Sequence, residues 1–394
     1  MKSIFIRPAL LYFLFYAAAG ALIPFLNIFY QVKGLSMGQI SILAALPMGM
    51  TLIAAPVWAG IADFFGLHRK ILPLLMILTM PLMALIGLAD SFIVLLPIVV
   101  LYGFCYSPIT PLQDNSVLTF LSEKRHEYGK PRLWGSISWA VLGVTAGVLI
   151  GKFGPAIAYI LYIVFMGLNA WVAFKMPDPV IEKGEPYWVS LRRVAGDNRW
   201  YGFLAGALLT GIAFAFENNY FFLFLKSLGA PSSIQGLAVF TSSVMEIPFF
   251  IYSAVLLKKY SARGLMQFSM LVLIVRLILT SLLKDPVWGI AVQLLHGVFF
   301  STFWAGGVSL AHQIAPKGLS ASAQALFGAS FYGFGGIIGA ILGGWLYGQF
   351  NPTIMFQAGA FSTFLGFLFI TFWARPKHAP LQNKYVHHKF KKYE

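Results

Sequence analysis

The sequence has a single cysteine, Cys105, in 394 residues. One thiol excludes an intrachain disulfide and a cysteine-based metal cluster. Set in an apolar stretch, Cys105 reads as a small buried residue. Charge is the second shortage. Only 10% of the residues are Asp, Glu, Lys or Arg and 59% are hydrophobic, whereas soluble domains carry about 25% charged residues. Apolar surface that recurs from one end of the chain to the other finds no soluble core large enough, so the solvent must be lipid. Catalytic machinery is also missing. No acid pair accompanies a loop-borne nucleophile, no ligand spacing suits a metal, and Gly335-Gly336 lie inside a helix, outside any phosphate-binding loop. The reading is therefore not an enzyme, with no metal and no cofactor. A sensor would normally add a soluble domain, and the longest polar stretch is about two dozen residues.

A membrane-spanning helix needs about 20 mostly apolar residues. Twelve such runs are present, at 8–30, 38–63, 70–90, 91–120, 132–152, 154–175, 200–227, 232–258, 263–283, 286–313, 320–348 and 352–374. The Ala17-Ala18-Ala19 triplet faintly resembles a signal cleavage site, but the apolar run continues to Tyr30, so the first helix is read as uncleaved. The polar stretch 176–199, with Asp178-Pro179 and Arg192-Arg193, divides the chain. The expected organisation is an N-terminal six-helix bundle at 1–175, a central loop at 176–199, a C-terminal six-helix bundle at 200–374 and a basic tail at 375–394.

The placement of the basic residues sets orientation. Of 28 Lys and Arg, 23 fall on the face that carries both termini and the central loop, and four (Lys33, Lys152, Lys226 and Lys284) fall on the other; Arg276 lies within a helix. Both termini are expected in the cytoplasm of a bacterial-type inner membrane. The net charge of +15 is then a matter of topology, with the tail on anionic headgroups, and nucleic acid is not an expected partner.

The halves repeat. Residues 147–155 read GVLIGKFGP and residues 344–352 read GWLYGQFNP. Each match ends a glycine-rich helix, the fifth and the eleventh. The spacings Gly143-Gly147-Gly151 and Gly335-Gly339-Gly343 are small-xxx-small faces that let helices approach closely. Two parallel six-helix repeats resemble the plan of the major facilitator superfamily. That resemblance implies an all-α membrane protein of twelve transmembrane helices in two pseudo-symmetric bundles, with the substrate near the midplane between them. It also implies a monomer carrying a small-molecule substrate across the lipid bilayer.

Charged groups inside spanning helices are expensive and are usually functional. Asp114, late in the fourth helix, and Arg132, at the start of the fifth, lie 18 residues apart across a hairpin. There they can bind polyol hydroxyls or a carboxylate, form a structural pair, or let Arg132 snorkel to the interface. In the second half Glu246, Arg276 and His296 fall near mid-span in neighbouring helices. Three such groups at one depth need to pair, and a cluster of that kind is the usual build of a proton relay. Glu217, within Phe216-Glu217-Asn218-Asn219-Tyr220, is a further candidate.

Pro111-Leu112-Gln113-Asp114 followed by Tyr128-Gly129-Lys130-Pro131-Arg132-Leu133-Trp134-Gly135-Ser136 resembles the hairpin between helices 4 and 5 of the phenylpropionate permease and lactose permease group. The resemblance implies substrate binding by Asp114 and Arg132 with Trp139 stacking on the solute, and adds Asn27 and Gln113 as cavity-lining candidates. It also supports Glu246, Arg276 and His296 as proton-coupling residues; Glu217 joins them from its own placement, where it can face the cavity or hydrogen-bond across the bundle. One position departs: Phe299 stands where that group has an acid one turn after its histidine. Ala59, Asp63, Gly66 and Arg69 resemble the superfamily's conformational-switch motif between helices 2 and 3. The expected function is H⁺-coupled symport of a sugar, nucleoside or aromatic acid by alternating access. A uniporter or an efflux antiporter of the same fold is the alternative, and a non-transporting sensor or enzyme a remote one.

Overall fold

The computed structural model describes residues 5–65, 70–121, 129–176, 198–314 and 320–374. Almost all of the expected central loop, the basic tail and the switch residues Gly66 and Arg69 lie outside these segments, as does the side chain of Asp63. The described residues contain twelve helices long and apolar enough to cross a membrane, in the order of the twelve apolar runs. Lipid offers backbone amides no partners, so each span must satisfy its own N–H and C=O groups.

Nine spans are single helices: α1 (Ile6–Val32), α2 (Met37–Phe65), α3 (Ile71–Leu88), α6 (Gly129–Phe153), α7 (Ala156–Ala173), α8 (Asn198–Ser227), α11 (Ala262–Ser281), α12 (Trp288–Ile314) and α15 (Pro352–Phe372). Three spans are interrupted. The fourth breaks into α4 (Phe92–Tyr106) and α5 (Ile109–Leu121), because Pro108 lacks the N–H that would continue the ladder. The eighth breaks at Tyr252 into α9 (Ser232–Ile251) and α10 (Ser253–Tyr260). Ser261 then takes φ +61°, and its hydroxyl accepts from the Gly264 N–H at 3.2 Å to cap α11. The eleventh span consists of α13 (Ser320–Gly328), a π-helical segment Ala329–Phe334 and α14 (Gly335–Gln349). In the π segment the Gly335 N–H reaches back five residues to Ser330, a wide turn frequent at functional sites.

Within the first six spans α1 packs along α6 and α7, and α3 along α7; within the last six α8 lies against α14 and α15, and α11 against α12 and α15. The two groups meet along α6 with α9 and along α2 with α14 and the π segment. Small residues make these seams. A Cβ on Gly147 would sit 2.5 Å from the Ser232 carbonyl oxygen, and one on Gly236 would sit 2.8 Å from that of Gly143. On α14 two glycine rows face different neighbours. Gly335, Gly339 and Gly343 abut α8, while Gly336, Gly344 and Gly348 abut Met48, Ser41 and Met37 of α2. The first expected small-residue face is thus used at Gly143 and Gly147, while Gly151 meets open space.

The seam contacts gather at one end of the molecule, where α1 finishes and α2 begins. At that end Lys33 also reaches the C-terminus of α3, donating to the carbonyls of Ile86, Gly87 and Ala89 at 3.2, 2.6 and 2.6 Å. Its ammonium thereby meets the negative end of the α3 dipole.

Candidate substrate and coupling site

On the first half the site is built on α1. Tyr12 and Tyr16 are one turn apart and share a face of the helix. The Tyr12 hydroxyl donates to Asp114 Oδ1 at 2.5 Å. Arg132 Nη2 donates to the Tyr16 hydroxyl at 2.8 Å, and its guanidinium lies 4.4 Å from the Tyr16 ring centroid and 5.5 Å from that of Tyr12. A planar cation over an aromatic face gains about 0.5–2 kcal/mol according to its exposure. The acid and the base are therefore joined through two tyrosines of a third helix. Glycine permits this approach: a Cβ on Gly135 would come within 2.6 Å of the Tyr16 ring.

On the second half the expected cluster resolves into two ion pairs. Arg276 Nη2 on α11 lies 2.8 Å from Glu217 Oε2 on α8, with side-chain exposures of 2% and 1%. Thr280 donates to the same carboxylate at 3.0 Å, and Arg276 donates to Gln293 of α12 at 3.1 Å. His296 Nε2 on α12 lies 3.4 Å from Glu246 Oε1 on α9, and here the exposures are 19% and 17%. Gly297 brings the two helices together, since a Cβ there would meet the backbone at Met245 and Glu246. The difference in exposure separates the pairs chemically. Protons reach a carboxylate through water, and only the Glu246–His296 pair is open to it.

Among the other expected substrate residues, Trp139 presents an edge to Tyr16 at 6.4 Å and is half-buried, beside Arg132. Asn27 lies elsewhere. Its side-chain amide donates to the Asn219 carbonyl at 2.9 Å, tying α1 to α8 across the closed seam. Gln113 is fully buried, and neither of its amide atoms has a partner. Adjacent residues on a helix point about 100° apart, so the helix that turns Asp114 toward Tyr12 turns Gln113 into the packing. Phe299 is fully buried, 6.1 Å from Phe214 and 5.5 Å from Phe303.

The structure adds residues that the sequence reading passed over. Tyr12 and Tyr16 were visible as an i, i+4 aromatic pair in a first helix otherwise rich in alanine. His296, Phe300 and Trp304 recur every four residues on α12. Their rings stack in sequence, at 5.9 Å and 16° and then at 6.4 Å and 21°. Tyr332 of the π segment packs on Trp304 at 5.5 Å. The π segment that carries Tyr332 packs against α2 of the first half, where a Cβ on Gly333 would sit 2.7 Å from the Leu52 side chain, so Tyr332 stands where the two halves meet.

Comparison with known proteins decides the family: the family model of the MFS_1 like family matches residues 5–358. The chain belongs to that family of major facilitator transporters. The maltose permease of Geobacillus stearothermophilus is 26% identical over 381 residues, covering 95% of this chain and 96% of that protein. The probable 3-phenylpropionic acid transporter of Escherichia coli K12 is 25% identical over 299 residues, covering 73% and 77%. Among solved structures, the nucleoside transporter NupG superposes with a TM-score of 0.81 at 15% identity, covering 94% of this chain and 99% of that one. A D-xylose-proton symporter superposes with 0.72 at 13%, covering 95% and 98%. These two show the shared fold. As a major facilitator the chain is a multi-pass membrane transporter of a small molecule, and not an enzyme.

Proposed function

We propose that this major facilitator is an H⁺-coupled symporter of a small polar or anionic organic solute, a sugar, nucleoside or aromatic acid, in a bacterial inner membrane with both termini in the cytoplasm. The observation that carries the reading is the Glu246–His296 pair, 3.4 Å apart and partly exposed, at 17% and 19%. A carboxylate and an imidazole in contact there can exchange a proton with water and with each other. Arg132, Asp114 and the α1 tyrosines supply charge-assisted hydrogen bonds from the opposite wall. The names of a maltose permease and a D-xylose-proton symporter among the similar proteins agree with a polar solute and with a proton as coupling ion.

The mechanism follows from the seams. With the termini in the cytoplasm, the end where Met37 meets Gly348 and Ser232 meets Gly147 faces outward, and it is closed. Solute and proton bound between the halves must stabilise one arrangement of the seams more than the other, because a ligand shifts an equilibrium only by its differential affinity for the two states. Protonating Glu246 removes the charge that holds His296 and frees α9 to move against α12. Phe299, apolar and sealed, favours a second reading in which no proton moves. The deciding experiment uses proteoliposomes of the purified protein and records solute-induced pH change over a panel of sugars, nucleosides and aromatic carboxylates. Symport predicts alkalinisation of the outer medium with one class. It also predicts loss of that signal in Glu246→Gln, with solute exchange across the membrane retained. Saturable solute entry with no pH change in the wild type would establish instead a uniporter or a carrier coupled to another ion.

A further inference from the structure

Eight aromatic residues of the second half gather around α12 and the π segment, and they divide into two sets. Phe214, Phe299, Phe303, Phe327 and Phe331 are buried and pack on one another. Phe300, Trp304 and Tyr332 keep part of their surface open: the first two are half-buried, with Phe214 stacked on Phe300 at 5.9 Å and Phe327 against Trp304 at 5.2 Å, and Tyr332 is 36% exposed. On α12 the alternation is abrupt. Phe299 and Phe303 face the core, while His296, Phe300 and Trp304 form an adjacent stripe four residues apart. That stripe does not face lipid, because its first member is ion-paired to Glu246 and a titratable pair is costly in hydrocarbon. The lipid-facing side of α12 carries Leu294 instead, which is 42% exposed.

The π segment completes the wall. Phe331 is fully buried against Phe303 at 4.9 Å, while Tyr332 stands nearly perpendicular to it, at 80°. Its neighbour Gly333 abuts Leu52 of α2, so the segment stands where the two halves of the molecule meet. The wide turn is fixed in place by Gly211 of α8, where a Cβ would collide with the Phe331 backbone.

From this geometry we infer that Phe300, Trp304 and Tyr332 form a ring-binding subsite, so that the transported solute carries a flat aromatic ring, its polar end directed to Arg132 and Tyr16. The inference rests on the reading of the interior space as the solute site and narrows the solute class. Uncovered aromatic faces inside a protein are stabilised by an offset or edge-on ring. A solute presenting hydroxyls on every side needs a donor or acceptor for each. The three rings offer one indole N–H, on Trp304, and one hydroxyl, on Tyr332, and His296 Nδ1 is itself buried. Stacking is the main interaction the wall supplies.

The test is calorimetric binding to purified protein in detergent, with no gradient, using 3-phenylpropanoate, 3-cyclohexylpropanoate, uridine and maltose. At least one of the two aromatic-ring probes, 3-phenylpropanoate or uridine, is expected to bind saturably and more tightly than maltose. If it is the propanoate, the cyclohexyl counterpart should bind several-fold more weakly. Loss of one stacking partner in Trp304→Leu or Tyr332→Ala should weaken the aromatic probe roughly 5- to 30-fold, while Trp304→Phe and Tyr332→Phe keep most of the affinity. Equal binding of the phenyl and cyclohexyl acids, preference for maltose, or no binding of either aromatic-ring probe would overturn the subsite. Because no gradient is present, this result is independent of coupling. A probe that binds as expected yet moves no proton in liposomes refutes symport and leaves the subsite standing.

Discussion

Replacing Glu217 by Gln should destabilise the fold far more than it affects proton movement. The carboxylate lies 2.8 Å from Arg276, and both side chains are at most 2% exposed. Arg276 has one further hydrogen bond, to Gln293, and its Nε and Nη1 have no acceptor. Neutralising Glu217 therefore leaves a buried guanidinium without its counter-charge. Removing one partner of a buried pair costs about 3–5 kcal/mol, and insertion scales give a similar figure, about 2.5–3.5 kcal/mol, for a lone arginine at mid-membrane. Set against a total stability of about 5–15 kcal/mol, this is a large share. Replacing both members with apolar residues of similar volume is often neutral, so Glu217→Leu with Arg276→Met should recover most of the loss. The assay is thermal unfolding of each purified variant in detergent, followed by proton flux in liposomes for those that fold. The reasoning fails if Glu217→Gln melts with the wild type. It also fails if the double variant folds but moves no protons while Glu246→Gln still does, because coupling would then reside at Glu217.

Three further outcomes follow from the same geometry. In Gly147→Val the new side chain runs into the Ser232 carbonyl, 2.5 Å from the position of its Cβ, and wedges α6 from α9. Transport should fall at least several-fold, and a cysteine replacing the 2% exposed Ser41 in a Cys105→Ala background should become reactive to a membrane-impermeant maleimide. Lys33→Met removes three charge-assisted hydrogen bonds to the end of α3 and should cost about 1–3 kcal/mol. Asp90→Ala should cost less than about 0.5 kcal/mol, since Asp90 is 84% exposed at 3.4 Å from the same ammonium and such pairs contribute little; melting of the two variants checks the contrast. Asp114→Asn and Arg132→Ala should each abolish saturable uptake with insertion intact. Tyr16→Phe, which loses only the bond to Arg132, should raise KM roughly 2- to 10-fold.

The twelve spans were legible because lipid imposes a coarse rule, about 20 apolar residues per crossing, that short motifs cannot disguise. The small-residue spacing on α6 was legible for a similar reason: glycine every fourth residue in a spanning helix has few uses other than close approach. Breaks inside spans were harder. Pro108 marks the fourth, but no residue type marks the π turn at Ala329–Phe334, which is positioned by Gly211 on another helix.

The site was legible in depth and not in direction. Asp114, Arg132, Glu217, Glu246, Arg276 and His296 are few and costly inside spanning helices, so counting them singled out the candidates. Their partners depend on rotation about each helix axis, which depth along the chain does not fix. A rotation of 100° separates Asp114, bound to Tyr12, from Gln113, sealed without a partner. Rotation likewise divides the expected Glu246–Arg276–His296 cluster, because Glu217 on α8 points at Arg276 while Glu246 on α9 is left to His296. Phe299 fits the same account. At its position on α12 the side chain faces Phe214 and Phe303 in the core, where an acid would be buried, and the less buried stripe one residue further round carries His296, Phe300 and Trp304. On this helix the acid is absent from a direction that could not use it, and the less buried rings stand on the neighbouring face.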